Sequence, residues 1–306
     1  QRESQTQFIG SFGLITNQYV RKPAYWAFKS LATVGPQRIG VTTSNPFVVA
    51  IAGMANADEQ TAVVAYHPPP MGAFARSVLE GLLGKGYTPS QLQQALGDIS
   101  TVERLLRGDI TVASLSLPSA FAADLGAQIS ALSPTAIAAT QALGSRVNVT
   151  VRFADIDGRR FQQTMYRIDS ANTNPLRIAS KIDQTVQGRL ASAKTTLDAN
   201  LTSRLLSLGY SDAAISKLKW VLSQPDKDAA IATLSPGDRM SVLAMMQEVL
   251  KYMSELFTSI SADINTWPEV AMNPATDGIA SNVNGQAAVS FSMEPYSVVV
   301  VKARKY

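Results

Sequence analysis

Chemistry has few places to reside in this sequence. There is no cysteine and a single histidine, His67, which removes disulfides, thiolate metal sites, cysteine nucleophiles and clusters of imidazole ligands together. His67 closes an apolar run just before Pro68-Pro69-Pro70, and nothing in the sequence would serve it as a triad, so it reads as a structural histidine. Asp155-Ile156-Asp157-Gly158 puts two carboxylates beside a glycine, but it lacks the acidic ligands that a calcium-binding loop needs further along, and it reads as a turn. Asp169 with Arg167 reads as a polar network inside a sheet. No metal and no cofactor is expected. Two acceptor sequons, Asn148-Val149-Thr150 and Asn200-Leu201-Thr202, are candidate glycosylation sites and point to a secreted protein. The first falls inside a predicted strand, where a glycan needs the outward face.

The 306 residues are 46% hydrophobic and 16% charged, the profile of a folded globular chain with a sizeable core. Net charge is +4, with Lys and Arg scattered rather than blocked, so no nucleic-acid partner is expected. No apolar run reaches the roughly 20 residues of a membrane span. The start, Gln1-Arg2-Glu3-Ser4, shows neither an initiator Met nor a signal-peptide pattern; it reads as a processed end or as one piece of a larger gene product.

The elements that must position any site are organised from the C-terminus. Ser297-Val298-Val299-Val300-Val301-Lys302 is apolar on both faces, so it belongs inside a sheet, and its partners have to come from far upstream. Strand patterns occur at 47–53 and 61–67, joined by Asn56-Ala57-Asp58-Glu59 as a hairpin. They recur at 146–153 and 160–168, where Asp157-Gly158 signals a second hairpin. Residues 74–143 and 176–264 read as helical. Thr88-Pro89-Ser90-Gln91 is a capping box, Ser211 and Ser235 are N-caps, and Ser133-Pro134 opens a helix that ends at Leu143. Pro23 starts a helix with Ala24, Ala27, Phe28 and Leu31 on one apolar face. The Met-rich stretch 240–257 is either core or an adaptable docking surface. Leu82–Thr88 parallels Leu205–Ser211, and Leu132-Ser133-Pro134 parallels Leu234-Ser235-Pro236. The two helical regions are therefore either a repeated module or ordinary caps on Leu-rich helices. The whole reads as a β-sandwich interrupted by helical insertions.

Three stretches carry a resemblance. Residues 8–28, running from Phe8-Ile9-Gly10-Ser11-Phe12-Gly13-Leu14 to Lys22-Pro23-Ala24-Tyr25-Trp26-Ala27-Phe28, are similar to the last strand, loop and helix of a (β/α)₈ barrel. Tyr166–Pro175 resembles a sandwich segment, and Met293-Glu294-Pro295-Tyr296-Ser297-Val298-Val299-Val300-Val301 resembles a closing strand. The chain in these stretches resembles glycoside hydrolase family 39, the group of β-xylosidases and α-L-iduronidases. The two helical insertions depart from that family's usual pattern.

The resemblance implies an α+β fold: the terminal β/α unit of a (β/α)₈ barrel at 1–36, and a β-sandwich at 37–73, 144–175 and 266–306. Insertions would occupy 74–143 and 176–265. It also implies retaining glycoside hydrolysis by two carboxylates about 5 Å apart at the barrel's C-terminal face. Neither carboxylate has a counterpart here, since the family's acid/base sits in an Asn-Glu pair that this sequence lacks. A partner polypeptide would then carry the first seven barrel units in an obligate heterodimer, with further oligomerisation through the insertions. Phe8 and Phe12 would lie where the eighth-strand loop meets the carbohydrate substrate, either stacking on a sugar ring or packing the barrel wall. Trp26 would be core at the junction of barrel and sandwich. The alternative is a non-catalytic structural or glycan-binding assembly protein that keeps the architecture.

Overall fold

The structure, a computed structural model, describes residues 14–16, 19–154, 156, 160–281 and 286–305. The elements in chain order are α1 (Pro23–Ala32), β1 (Gln37–Ile39), β2 (Val48–Asn56), β3 (Glu59–Tyr66), α2 (Met71–Gly84), α3 (Pro89–Leu96), α4 (Ile99–Arg107) and α5 (Ser119–Leu143). They continue with β4 (Val147–Phe153), β5 (Arg160–Ile168), α6 (Ala179–Ser207), α7 (Asp212–Ser223), α8 (Lys227–Ala232), α9 (Pro236–Ile264), β6 (Pro274–Ser281), β7 (Ala287–Met293) and β8 (Ser297–Lys305). The chain divides into two compact units. One comprises Ala27–Asn172 and Met272–Tyr306, the other Thr173–Ala271 with the described residues up to Trp26.

The first unit holds the strands, all paired antiparallel, in an α+β arrangement. Six strands form one sheet in the order β1-β2-β3-β8-β5-β6, and β4 with β7 forms a second. The all-valine strand takes the central place its composition demands, between β3 and β5. Val299, Val301 and Ala303 face a core shared with Val64, Phe161 and, from the smaller sheet, Val289 and Phe291. Val300 points the other way, against Val34 and Val63. Burying each of these valines stabilises by roughly 1.5–3 kcal/mol. β2 and β3 form the expected hairpin.

The second expected hairpin does not form. β4 pairs with β7, whereas β5 pairs with β8 and β6 in the other sheet. Asp157-Gly158 lies outside the described residues. A turn signal is local, but the strands it joins settle where their apolar faces are buried, and Phe153 and Phe161 enter the common core from different sheets.

The helices α2–α5 belong to the same unit and close around Val78, Leu82, Leu106 and Leu125. Thr88 forms its capping box: its hydroxyl accepts from Gln91 N, and its own N–H donates to Gln91 Oε1 at 2.8 Å. Ser133-Pro134 starts no helix, because α5 runs unbroken through it. In the second unit, Ser211 and Ser235 cap α7 and α9 as read. Its helices enclose two cores, one around Leu205, Leu218 and Met245, the other around Ile182, Val186, Ile260 and Ile264.

Half of the suspected repeat has a structural counterpart. After α2, Gly86 turns with φ 94° and Tyr87 N–H returns to Leu82 O; after α6, Gly209 turns with φ 88° and Tyr210 N–H returns to Leu205 O. A capped helix follows each turn. The Leu-Ser-Pro half diverges, being mid-helix in one copy and a helix start in the other.

A Cβ built on Gly35 would sit 1.9 Å from Met54 O, a backbone atom with little freedom to move. Gly35→Ala should therefore destabilise the sheet unit by about 1–3 kcal/mol or more in denaturant unfolding. Asp124 accepts hydrogen bonds from Lys85 Nζ and Tyr87 Oη, and these hold its carboxyl below the ordinary range. A depressed carboxyl stabilises above its unfolded value and loses that effect as pH falls through the folded one. Asp124→Asn should lower the melting temperature at pH 7, with the gap to wild type closing below about pH 4.

Candidate functional site

The segment leading into α1 is the described part of the stretch that the resemblance assigns to the end of a barrel. It is a tight reversal: Ile15 and Arg21 form an antiparallel bridge, Lys22 N–H donates to Leu14 O at 3.0 Å, and Thr16 N–H donates to Val20 O at 2.9 Å. The Thr16 hydroxyl accepts from Val20 N–H, and Tyr19 N–H donates to Thr16 O. Closing so short a loop forces Tyr19 to φ 61°, a left-handed conformation uncommon for a bulky residue. The residue is left 45% exposed.

Asn265, just past α9, holds this reversal with both ends of one amide. Its Oδ1 accepts from Arg21 N–H at 2.9 Å and its Nδ2 donates to Tyr19 O at 3.0 Å. Arg21 lays its guanidinium 5.0 Å from the Tyr25 ring and 5.1 Å from the Trp26 ring, and the two rings meet edge to face at 5.1 Å. Cation–π contact of this kind fixes both the charge and the aromatic pair. Residues 14–26 contain no carboxylate. The arrangement can bind and orient a ligand through Tyr19, Arg21 and Tyr25, but it supplies neither of the carboxylates that glycoside hydrolysis ordinarily uses. Sequence reading missed Tyr19, Arg21 and Asn265. Only a positive φ and a contact across more than 200 residues single them out, and neither leaves a local signal.

The other residues singled out from sequence are dispersed. Phe8, Phe12, Asp155 and Asp157 lie outside the described residues. Trp26 is buried. His67 is exposed and meets the Tyr296 ring edge to face at 5.1 Å. Asp169 builds a local network: its Oδ1 accepts from Ala171 N–H, Asn172 N–H and Asn172 Nδ2, while Arg167 reaches its carboxylate at 3.8 Å and Ser292 O at 2.9 Å. Asn148 is exposed on β4, and Asn200 is exposed on α6. A cleft of about 490 Å³ lies between β4 and the inner face of β2 and β3, but no carboxylate or histidine lines it. Among the described residues, no group of three or more His, Cys, Asp or Glu could hold a metal ion. No helix among them is long and apolar enough to cross a membrane.

No protein-family model matches the chain, and no curated protein matches it in sequence. Solved structures do. Across 99% of its length the chain is similar to a monomeric beta-xylosidase from Caulobacter crescentus CB15, with 12% identity and a TM-score of 0.38, covering 34% of that protein. Across 98% it is similar to a GH39 enzyme from Xanthomonas axonopodis pv. citri, with 11% identity and a TM-score of 0.39, again covering 34%. The chain thus spans about a third of the length of either structure.

The role of Asn265 is open to direct test. Asn265→Ala removes the hydrogen bonds to Arg21 N–H and Tyr19 O, groups that water can partly reach, at a cost of about 0.5–1.5 kcal/mol each. The Arg21 amide should then exchange with solvent measurably faster in hydrogen-exchange mass spectrometry, while amides in β8 keep their protection.

Proposed function

We propose that this chain is the C-terminal part of a retaining glycoside hydrolase of the family-39 kind, with both catalytic carboxylates outside these 306 residues. One structural observation carries the reading. α1 is packed inside out relative to its sequence. Trp26 and Ser30 are buried, with Ser30 at 0% exposure, whereas Phe28 is 63% exposed and Leu31 39%. Of the apolar face built from Ala24, Ala27, Phe28 and Leu31, all but the half-buried Ala27 are turned toward solvent. Such a face on a short helix calls for a further packing partner. The same unit exposes Val49 and Ile51 on β2, opposite the face that enters the core.

In this reading α1 is the last helix of a barrel whose preceding seven units cover that face. They come from another polypeptide, or from an upstream continuation of this one. The reversal at 14–26 forms one wall of the substrate cleft, with Tyr19 displayed there and Phe8 and Phe12 joining it against a sugar ring. Charge develops on the sugar between two carboxylates held by those barrel units. This chain contributes closure of the barrel, exclusion of water and ligand orientation. Carbohydrate is the substrate class, and Asn148 and Asn200, both on solvent-facing positions, are the glycan acceptors of a secreted protein.

The test begins with native material, by intact mass and N-terminal sequencing, followed by nuclear magnetic resonance of the hydrolysis products. Expected are a barrel-containing segment with two essential Glu residues and products that retain their anomeric configuration. Phe28→Asp with Leu31→Asp should weaken capture of that segment at least about tenfold, while barely altering the melting of this chain alone. A chain that is native without any barrel segment would sink the proposal and favour the non-catalytic assembly protein.

A further inference from the structure

The second unit carries an apolar surface of its own, on α9. The buried side of this helix is Val242, Met245, Ile260 and Ile264, and its acidic flank is engaged by Arg204, which pairs with Glu248 at 3.4 Å and Glu255 at 2.6 Å. The remaining face is a stripe at 3- and 4-residue spacing: Met240, Leu243, Gln247, Leu250 and Ser254. Met240 is 74% exposed, Leu243 45% and Leu250 62%. Spacing of this kind over two heptads is the seam of a coiled coil. No described element covers it.

We infer that α9 pairs antiparallel with α9 of a second copy of this chain, with the two-fold axis passing at Gln247. Three features of the stripe select that occupant. It reads nearly the same in both directions, with a leucine four residues before Gln247 and another three after it, so Leu243 of one copy meets Leu250 of the other. It carries no charge, so laying it on itself opposes no like charges. Its one central polar group is an amide, which both donates and accepts and therefore satisfies its own copy across the axis. A two-fold interface requires such self-complementarity. A buried polar residue at one seam position also fixes register, which two leucines alone leave free to slide. This inference stands independently of the glycosidase reading.

The absence of cysteine makes the test clean. Gln247→Cys places one thiol per chain at the axis, and mild oxidation of the full chain should give a covalent dimer. Met240→Cys should not, because the two copies of that position lie 14 residues apart along the pair, about 21 Å. Both sites are exposed, so circular dichroism should show native helix content in each variant. Sedimentation of wild type should show a concentration-dependent dimer, weakened at least about tenfold by Leu243→Lys with Leu250→Lys. Monomer at concentrations on the order of 100 μM overturns the proposal and leaves the stripe to a different protein or to a further segment of a longer chain. Equal cross-linking at 240 and 247 overturns the antiparallel register. A dimer unchanged by the two lysines overturns the seam.

Discussion

The first unit depends on the burial of β8 from both sides. A strand of consecutive valines has no polar face, so it is stable only with a neighbour on each edge and a layer above and below. β3 and β5 supply the edges, the smaller sheet one layer, and Val34 with its neighbours the other. These partners are far away in sequence: Val63 pairs with Val300, and Met165 with Val301. Closing such long loops costs entropy before the contacts reward it, so pairing of this kind is intrinsically slow. The helices between the strands fold on local signals, such as the reciprocal cap at Thr88 and the turns at Gly86 and Gly209, and they can form before β8 arrives.

That division explains what was legible in the sequence. Features set by a few adjacent atoms were readable: the capping box, the caps at Ser211 and Ser235, the β2–β3 hairpin. So was the central position of β8, because its composition excludes any other. Features set by competition between distant surfaces were not. The Asp157-Gly158 signal is real turn chemistry, yet β4 and β5 part company because each buries its face in a different sheet. Pro134 removes one N–H from α5, and Ser133 offers a cap, yet the helix passes through with Ala136 and Ala139 fully buried just beyond. Packing of the whole helix, with Phe121 and Leu125 buried before the proline as well as these alanines after it, offsets the roughly 3 kcal/mol that an interior proline costs. The candidate site was the least readable part. The stretch holding it drew notice only through a resemblance, and the residues that shape it left no local signal, because Asn265 joins it from the far end of the second unit.

α1 shows the limit of periodicity as evidence. The apolar spacing of Ala24, Ala27, Phe28 and Leu31 correctly announces a helix with one apolar face. It does not say which face meets the core. Here Trp26 and Ser30 go inside, and the helix is held by its continuation: Val34 packs on Val63 and Val300, and Gly35 lies against the backbone of β2. A glycine at that approach lets the chain pass where any side chain would collide. The orientation of α1 follows from that backbone contact rather than from its own amphipathicity.

Among the described residues, three besides glycine adopt positive φ: Tyr19 at 61°, Thr173 at 53° and Tyr296 at 60°. Each strained position costs on the order of 1–3 kcal/mol and persists only where its surroundings leave no alternative. For Tyr296 the cause is the tight turn between β7 and β8, after Pro295, with its N–H bound to Tyr66 O at 2.8 Å. For Thr173, 2% exposed, it is the entry into the second unit, where its hydroxyl meets Ala271 O. Both are places where the chain must turn to let β8 and the helices reach their cores, so strand and helix packing offsets the strain. Tyr19 differs. Its loop serves no distant strand: Asn265 accepts from Arg21 N–H and donates to Tyr19 O, while Tyr19 N–H and Val20 N–H both bond to Thr16. A structural turn would be met more cheaply by glycine, which carries no such penalty at positive φ. Tyr19 and Tyr296 are alike in keeping an exposed tyrosine at positive φ, 45% and 54% exposed, and at each the hydrogen bonds around it, with Asn265 at one and Tyr66 at the other, offset a strain that glycine would not carry.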